Sequence, residues 1–147
     1  MASGFQHKQA SIAAAPIAGV AAAIIFQDVL FGTLVFVGCL LGIILTPDLD
    51  LLPELDNWNV SGLWKLYWYP YARMIPHRGD VSHIPLLGTA VRLVYLLMPF
   101  TIAAMVLQFQ GIPVLFYLIN FSQIMNGGVA VFVGLVVSDT LHWLMDI

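Results

Sequence analysis

The stretch GIPVLFYLINFSQIMN, residues 111–126, decides how this chain is arranged. It is apolar, yet Gly111, Pro113, Gln123 and Asn126 confine its greasy part to fewer residues than the roughly 20 an α-helix needs to cross a hydrocarbon core of about 30 Å. If it crosses a membrane, the C-terminal helix ends on one side; if it does not, that helix ends on the other. Read as an interfacial or re-entrant segment over about 112–125, it leaves four spans, at about 11–27, 29–46, 83–108 and 128–143.

Composition supports a membrane setting for those spans. Of 147 residues 61% are hydrophobic and 9% charged, and the mean hydropathy is +0.93, far above that of soluble domains. The expected fold is all-α: a single domain over 1–147, an integral membrane bundle of about four transmembrane helices with interfacial helices. The segment after MASGFQHKQAS runs into the next apolar stretch without an A-x-A cleavage signal, so the first helix is expected to stay. Small residues, among them Gly19, Gly32, Gly38 and Gly42, are dense in the first two spans and allow a closely packed hairpin. Cys39, alone in its apolar run, can form no intramolecular disulfide and reads as packing. Residues 60–73 mix Trp64, Tyr67, Trp68, Tyr69 and Tyr71 with Lys65 and Arg73, a composition suited to the headgroup layer as a short interfacial helix.

With four spans, His7, the TPDLD segment (46–50), PHRGDVSH (76–83) and the end of SDTLHWLMD (138–146) all fall on one side of the membrane, so all four histidines meet. Lys8, Lys65, Arg73 and Arg78 lie on that side too, which by the positive-inside rule makes it cytoplasmic, along with both termini. The expected partner is the lipid bilayer, with a homo-oligomer or a larger membrane complex compatible with the composition. A net charge of −3 without a run of lysine or arginine argues against nucleic acid.

Scarce ionisable residues at a bilayer need a reason. His7, Asp48, Asp50, His77, Asp80, His83, Asp139 and His142 are the side chains available to a divalent metal, which takes neutral imidazoles and carboxylates whose lone pairs converge. In an extended loop Asp48 and Asp50 would share a face, and Asp139 and His142, three apart on a helix, are neighbours. Arg92 lies deeper in the third span, where it is expected to snorkel or to pair with a bundle-facing acid such as Asp139.

Taken in order, GFQHK, TPDLD, HRGDVSH and SDTLHWLMD resemble the motifs of an uncharacterised bacterial family of metal-binding membrane proteins. That family is similar to inner-membrane metal-dependent hydrolases with an early His, a PDxD element, an HR…H element and a late D-x-x-H. The resemblance implies metal ligands at His7, Asp48, His83 and Asp139, with Asp50, His77 and His142 close by. Two functions follow as expectations. The first is a zinc, manganese or iron site held by His7, Asp48, His77, His83, Asp139 and His142, hydrolysing a phosphoester or lipid headgroup at the cytoplasmic interface. There Asp50 or Asp80 would be the base and Arg78 would neutralise an oxyanion. The second is a non-enzymatic membrane subunit of a larger, pigment or redox, complex with a structural metal or His/Asp network.

Overall fold

A computed structural model of the chain describes residues 4–51, 62–75, 84–112 and 121–146. Within them lie five α-helices, one 3-10 turn and no strand: α1 (Gly4–Phe26), α2 (Val29–Leu41), the 3-10 turn Pro47–Leu51, α3 (Gly62–Met74), α4 (Pro85–Phe109) and α5 (Phe121–Asp146). The all-helical expectation is met. Three of these helices, α1, α4 and the Ile124–Asp146 part of α5, are long and apolar enough to cross a membrane, and α2 is a shorter apolar helix. Their exposed side chains include the large apolar Ile17, Ile24, Ile25, Val94, Phe100 and Phe109.

Several boundaries differ from the sequence expectation. The first helix begins at Gly4 instead of near Ser11, so His7 and Ser11 sit on a continuous helix and are buried. Pro16 does not stop it. The second ends at Leu41, where Gly42 caps it and the chain tightens into turns, Ile43 N–H donating to the Leu40 carbonyl, before Pro47 starts the 3-10 turn. The fourth helix starts at Pro85, a favoured first position because proline has no N–H to leave unsatisfied, with Ile84 at its cap; the expected cap Ser82 lies outside the described residues. Residues 121–126 belong to α5, which continues without a break through Gly127 and Gly128. Each glycine costs a helix about 1 kcal/mol, but apolar surroundings leave the backbone no partner except its own. Residues 113–120, on which the four-span reading depends, lie outside the described residues.

Helices α1, α2 and α5 form the framework. A tight turn joins α1 to α2, with Gln27 at positive φ and the Asp28 carboxylate accepting from Phe31 N–H at 3.0 Å as the N-cap of α2. The small residues do what their density suggests. A Cβ at Gly19 would lie 2.8 Å from that of Phe36, and at Gly32, Gly38 and Gly42 it would collide with Ala23, Val131 and Ser138. Gly134 on α5 meets the α2 backbone at Val35 and Cys39 in the same way. Cys39 is buried in this contact, its thiol 3.6 Å from the Ser11 carbonyl, as packing requires. Pairing of Gly38 with Val131 and of Gly42 with Ser138 shows that α2 and α5 run parallel, and the Ser11–Ser138 contact places α1 antiparallel to α5. The start of α1, the end of α2 and the end of α5 therefore share one end of the molecule.

Helix α3 is amphipathic, but its aromatic side does not all face outward as a headgroup anchor would. Trp68 and Tyr71 are fully buried with Leu45, Leu49 and Leu135, against Tyr95 of α4. The Tyr67 hydroxyl sits 3.0 Å from the Tyr95 and Leu96 carbonyls, and the Tyr95 hydroxyl donates back to the Tyr67 carbonyl at 2.7 Å. Tyr67 and Tyr95 thus pack their rings while their hydroxyls reach backbone acceptors. Outside that contact Arg73 donates to the Tyr69 hydroxyl.

Candidate metal centre

The shared end of α1, α2 and α5 gathers His7, Asp48, His142 and Asp146. Helix α1 brings His7, two helical turns before the framework contact at Ala15. The 3-10 turn after α2 brings Asp48. The last turn of α5 brings His142 and Asp146, which lie four apart and so on one helical face. The Ser11–Ser138 hydrogen bond, 2.8 Å long and buried, pins α1 to α5 one turn below.

The two imidazole rings stack, with centroids 3.8 Å apart and planes 12° from parallel. His7 Nε2 lies 3.3 Å from Asp146 Oδ1, and His142 Nε2 lies 3.4 Å from both Asp146 Oδ2 and Asp48 Oδ1. These separations exceed the 2.7–3.2 Å usual for N–H···O hydrogen bonds. His7 and His142 approach different oxygens of the Asp146 carboxylate, and Asp48 reaches His142 alone. One donor atom each from His7, His142 and Asp146 can be chosen so that all three lie within 4.8 Å of one another, a group able to hold one metal ion. A cavity of about 220 Å³ opens beside them, walled by His7, Lys8, Thr46, Asp48 and His142.

Other expected site residues are placed elsewhere. Asp50 is buried, but it does not share a face with Asp48. A 3-10 helix turns about 120° per residue, so residues two apart diverge, whereas in an extended loop they would align. Asp50 acts instead on Tyr71: burial pushes that phenol above its usual range, Arg92 nearby pulls it down and Asp50 pushes it up.

Asp139 lies one turn inward from His142. Its Oδ2 accepts from Arg92 Nη2 and from the Thr89 hydroxyl, within a cluster where Arg92 and Thr89 are 2% exposed and Asp139 is 1% exposed. The sequence expectation that Arg92 pairs with this acid is met. Paired with Arg92 and Thr89, the Asp139 carboxylate clamps α4 to α5. His77, Arg78, Asp80 and His83 lie outside the described residues.

Sequence reasoning missed Asp146 as a donor. Its signal was the four-residue step from His142, on the face that also carries Asp139 and Ser138.

Of the four ligands that the resemblance implied, His7 and Asp48 lie in this group beside His142, Asp139 is paired with Arg92, and His83 lies outside the described residues. No curated protein and no solved structure matches the chain. A family model does match, over residues 2–147. Nearly the whole chain, carrying this histidine and carboxylate group, thus belongs to the family described as "uncharacterized metal-binding protein (DUF2227)".

Proposed function

We propose that the protein lies in a membrane, holds a divalent ion through His7, His142 and Asp146, and uses it to hydrolyse a phosphoester or lipid headgroup at the cytoplasmic face. The donor set carries this reading. Two histidines and one carboxylate beside a cavity are the ligand complement of catalytic zinc sites, which keep a further position open, whereas structural sites are closed by four protein ligands. Zinc suits the set best, and manganese and iron accept the same ligands.

A bound divalent ion would act as a Lewis acid and lower the pKa of water toward neutrality. The chain supplies the rest. His7 and His142 would each supply one imidazole nitrogen as a ligand. Asp48 takes the base role expected of Asp50 or Asp80: its side chain is 24% exposed at the cavity wall, beside His142, and can accept a proton from water there. Three long apolar helices support the membrane setting, and Lys8 at the site end, with the basic residues expected beside it, supports the cytoplasmic orientation.

The test is hydrolysis by detergent-purified, metal-loaded protein of phosphomonoester, phosphodiester and short-chain phospholipid substrates. Activity that disappears with a chelator, returns with metal and falls at least a hundredfold in Asp48→Asn with metal retained would support the proposal. Stoichiometric metal without turnover of any of them would return the protein to the reading of a membrane subunit with a structural ion.

A further inference from the structure

We infer that the outward face of α3 binds anionic phospholipid and that Arg73 selects for the charge. The inference rests on the membrane setting proposed above and is independent of the metal. Helix α3 presents apolar side chains on two opposite faces. Trp68 and Tyr71 are buried against the bundle, while Leu63, Leu66, Pro70 and Met74, at steps of three and four, share the other face. Leu63 is 79% exposed, Leu66 69% and Met74 65%. Such a stripe is costly against water and is at home against acyl chains.

Charge separates a lipid surface from a second copy of the chain. At the edge of the stripe, Arg73 Nε and Nη2 donate to the Tyr69 hydroxyl at 3.1 and 2.7 Å, and the guanidinium carbon lies 5.2 Å from the Tyr69 ring centre. That contact uses two of the five N–H groups of an arginine, and both side chains are exposed. The remaining N–H groups, held in orientation by Tyr69, can grip phosphate oxygens while the leucines beside them lie in hydrocarbon. Helix α3 carries no carboxylate, so two copies packed face to face through α3 would leave both guanidinium groups unanswered, whereas an anionic lipid answers each. The helix packs on Leu45 and Leu49, toward the end with the proposed cytoplasmic site, and anionic lipids give the cytoplasmic leaflet its negative surface.

Two measurements on the full chain test this. Native mass spectrometry in detergent, with added phosphatidylglycerol or phosphatidylcholine of the same acyl chains, reads the affinity for each lipid. The expected result is a preference for phosphatidylglycerol that falls about fivefold in Arg73→Gln, the loss expected for one basic residue at an anionic surface, and is largely kept in Arg73→Lys. An unchanged preference in Arg73→Gln would overturn the inference. The second measurement places a nitroxide at Leu66→Cys in vesicles of equal phosphatidylcholine and phosphatidylglycerol; Cys39 is fully buried and escapes the label. Frequent collision with oxygen and rare collision with a water-soluble nickel chelate is the expected pattern. Ready access to the chelate would put the face in water, and protection from both reagents would cover it with protein; either overturns the inference. Failure of the chain to enter vesicles would overturn it together with the membrane setting.

Discussion

Two polar clusters sit about one turn apart on α5, and they balance charge in different ways. In the inner one, Arg92 and Thr89 of α4 both reach the Asp139 carboxylate, and all three side chains are buried. In the outer one, two imidazoles and the carboxylates of Asp48 and Asp146 face one another at separations too long for ordinary hydrogen bonds, beside a cavity. The inner cluster contains its own cation. The outer one offers ring nitrogens and a carboxylate oxygen within 4.8 Å of one another, a group that could hold an ion. A buried charge in apolar surroundings must be matched, and Arg92 matches the Asp139 carboxylate on folding; the more exposed carboxylate of Asp146 is the one we propose for the ion.

Breaking the inner cluster should have the largest effect. Arg92→Met leaves the Asp139 carboxylate buried without its cation and should cost about 3–5 kcal/mol, read from unfolding in detergent. Adding Asp139→Leu should recover most of the loss. A single variant as stable as the wild type would mean that the clamp contributes nothing.

Next comes removal of the ion. A ligand at a hundred times its Kd stabilises the folded state by about 2.7 kcal/mol, so chelation should lower the melting temperature of the wild type accordingly. His142→Ala should start low and not respond to chelator. Equal responses of the two proteins would break the contrast between the clusters.

A smaller loss tests the framework that holds both in place. Gly134→Ala would put a methyl group 2.6 Å from the Cys39 nitrogen and against the Val35 carbonyl, forcing α2 and α5 apart at a cost of about 2 kcal/mol. Because α5 carries both clusters, metal affinity should weaken with stability. The smallest effect is expected from Ser11→Ala, which removes the buried hydrogen bond to Ser138 and should cost about 1 kcal/mol. A change below 0.3 kcal/mol would show that the glycine contacts alone fix α1 against α5.

Much of this arrangement was legible in the sequence, and the exceptions have physical causes. Hydropathy located the long helices, and the density of small residues anticipated the close approach at Gly19, Gly32, Gly38 and Gly42. Counting spans anticipated that His7, the PDLD turn and His142 would share one end. The pairing of Arg92 with Asp139 followed from the cost of a lone charge in a span. What escaped was set by tertiary packing. Helix α1 gains its first two turns because His7 and Ser11 pack on α5, which no local signal announces. Trp68 and Tyr71 turn inward because Tyr95 and Leu135 offer a surface there. Asp50 parts from Asp48 because proline and the tightening end of α2 favour a 3-10 turn over an extended loop.

The most direct test of the division between the two clusters is the metal content of the detergent-purified protein beside His142→Ala, Asp146→Asn and Asp139→Asn. Close to one divalent ion per chain is expected in the wild type and in Asp139→Asn, where the amide oxygen can still accept from Arg92 and Thr89, with loss of the ion in the other two. Metal lost from Asp139→Asn but retained in His142→Ala and Asp146→Asn would move the site to the inner cluster and contradict it.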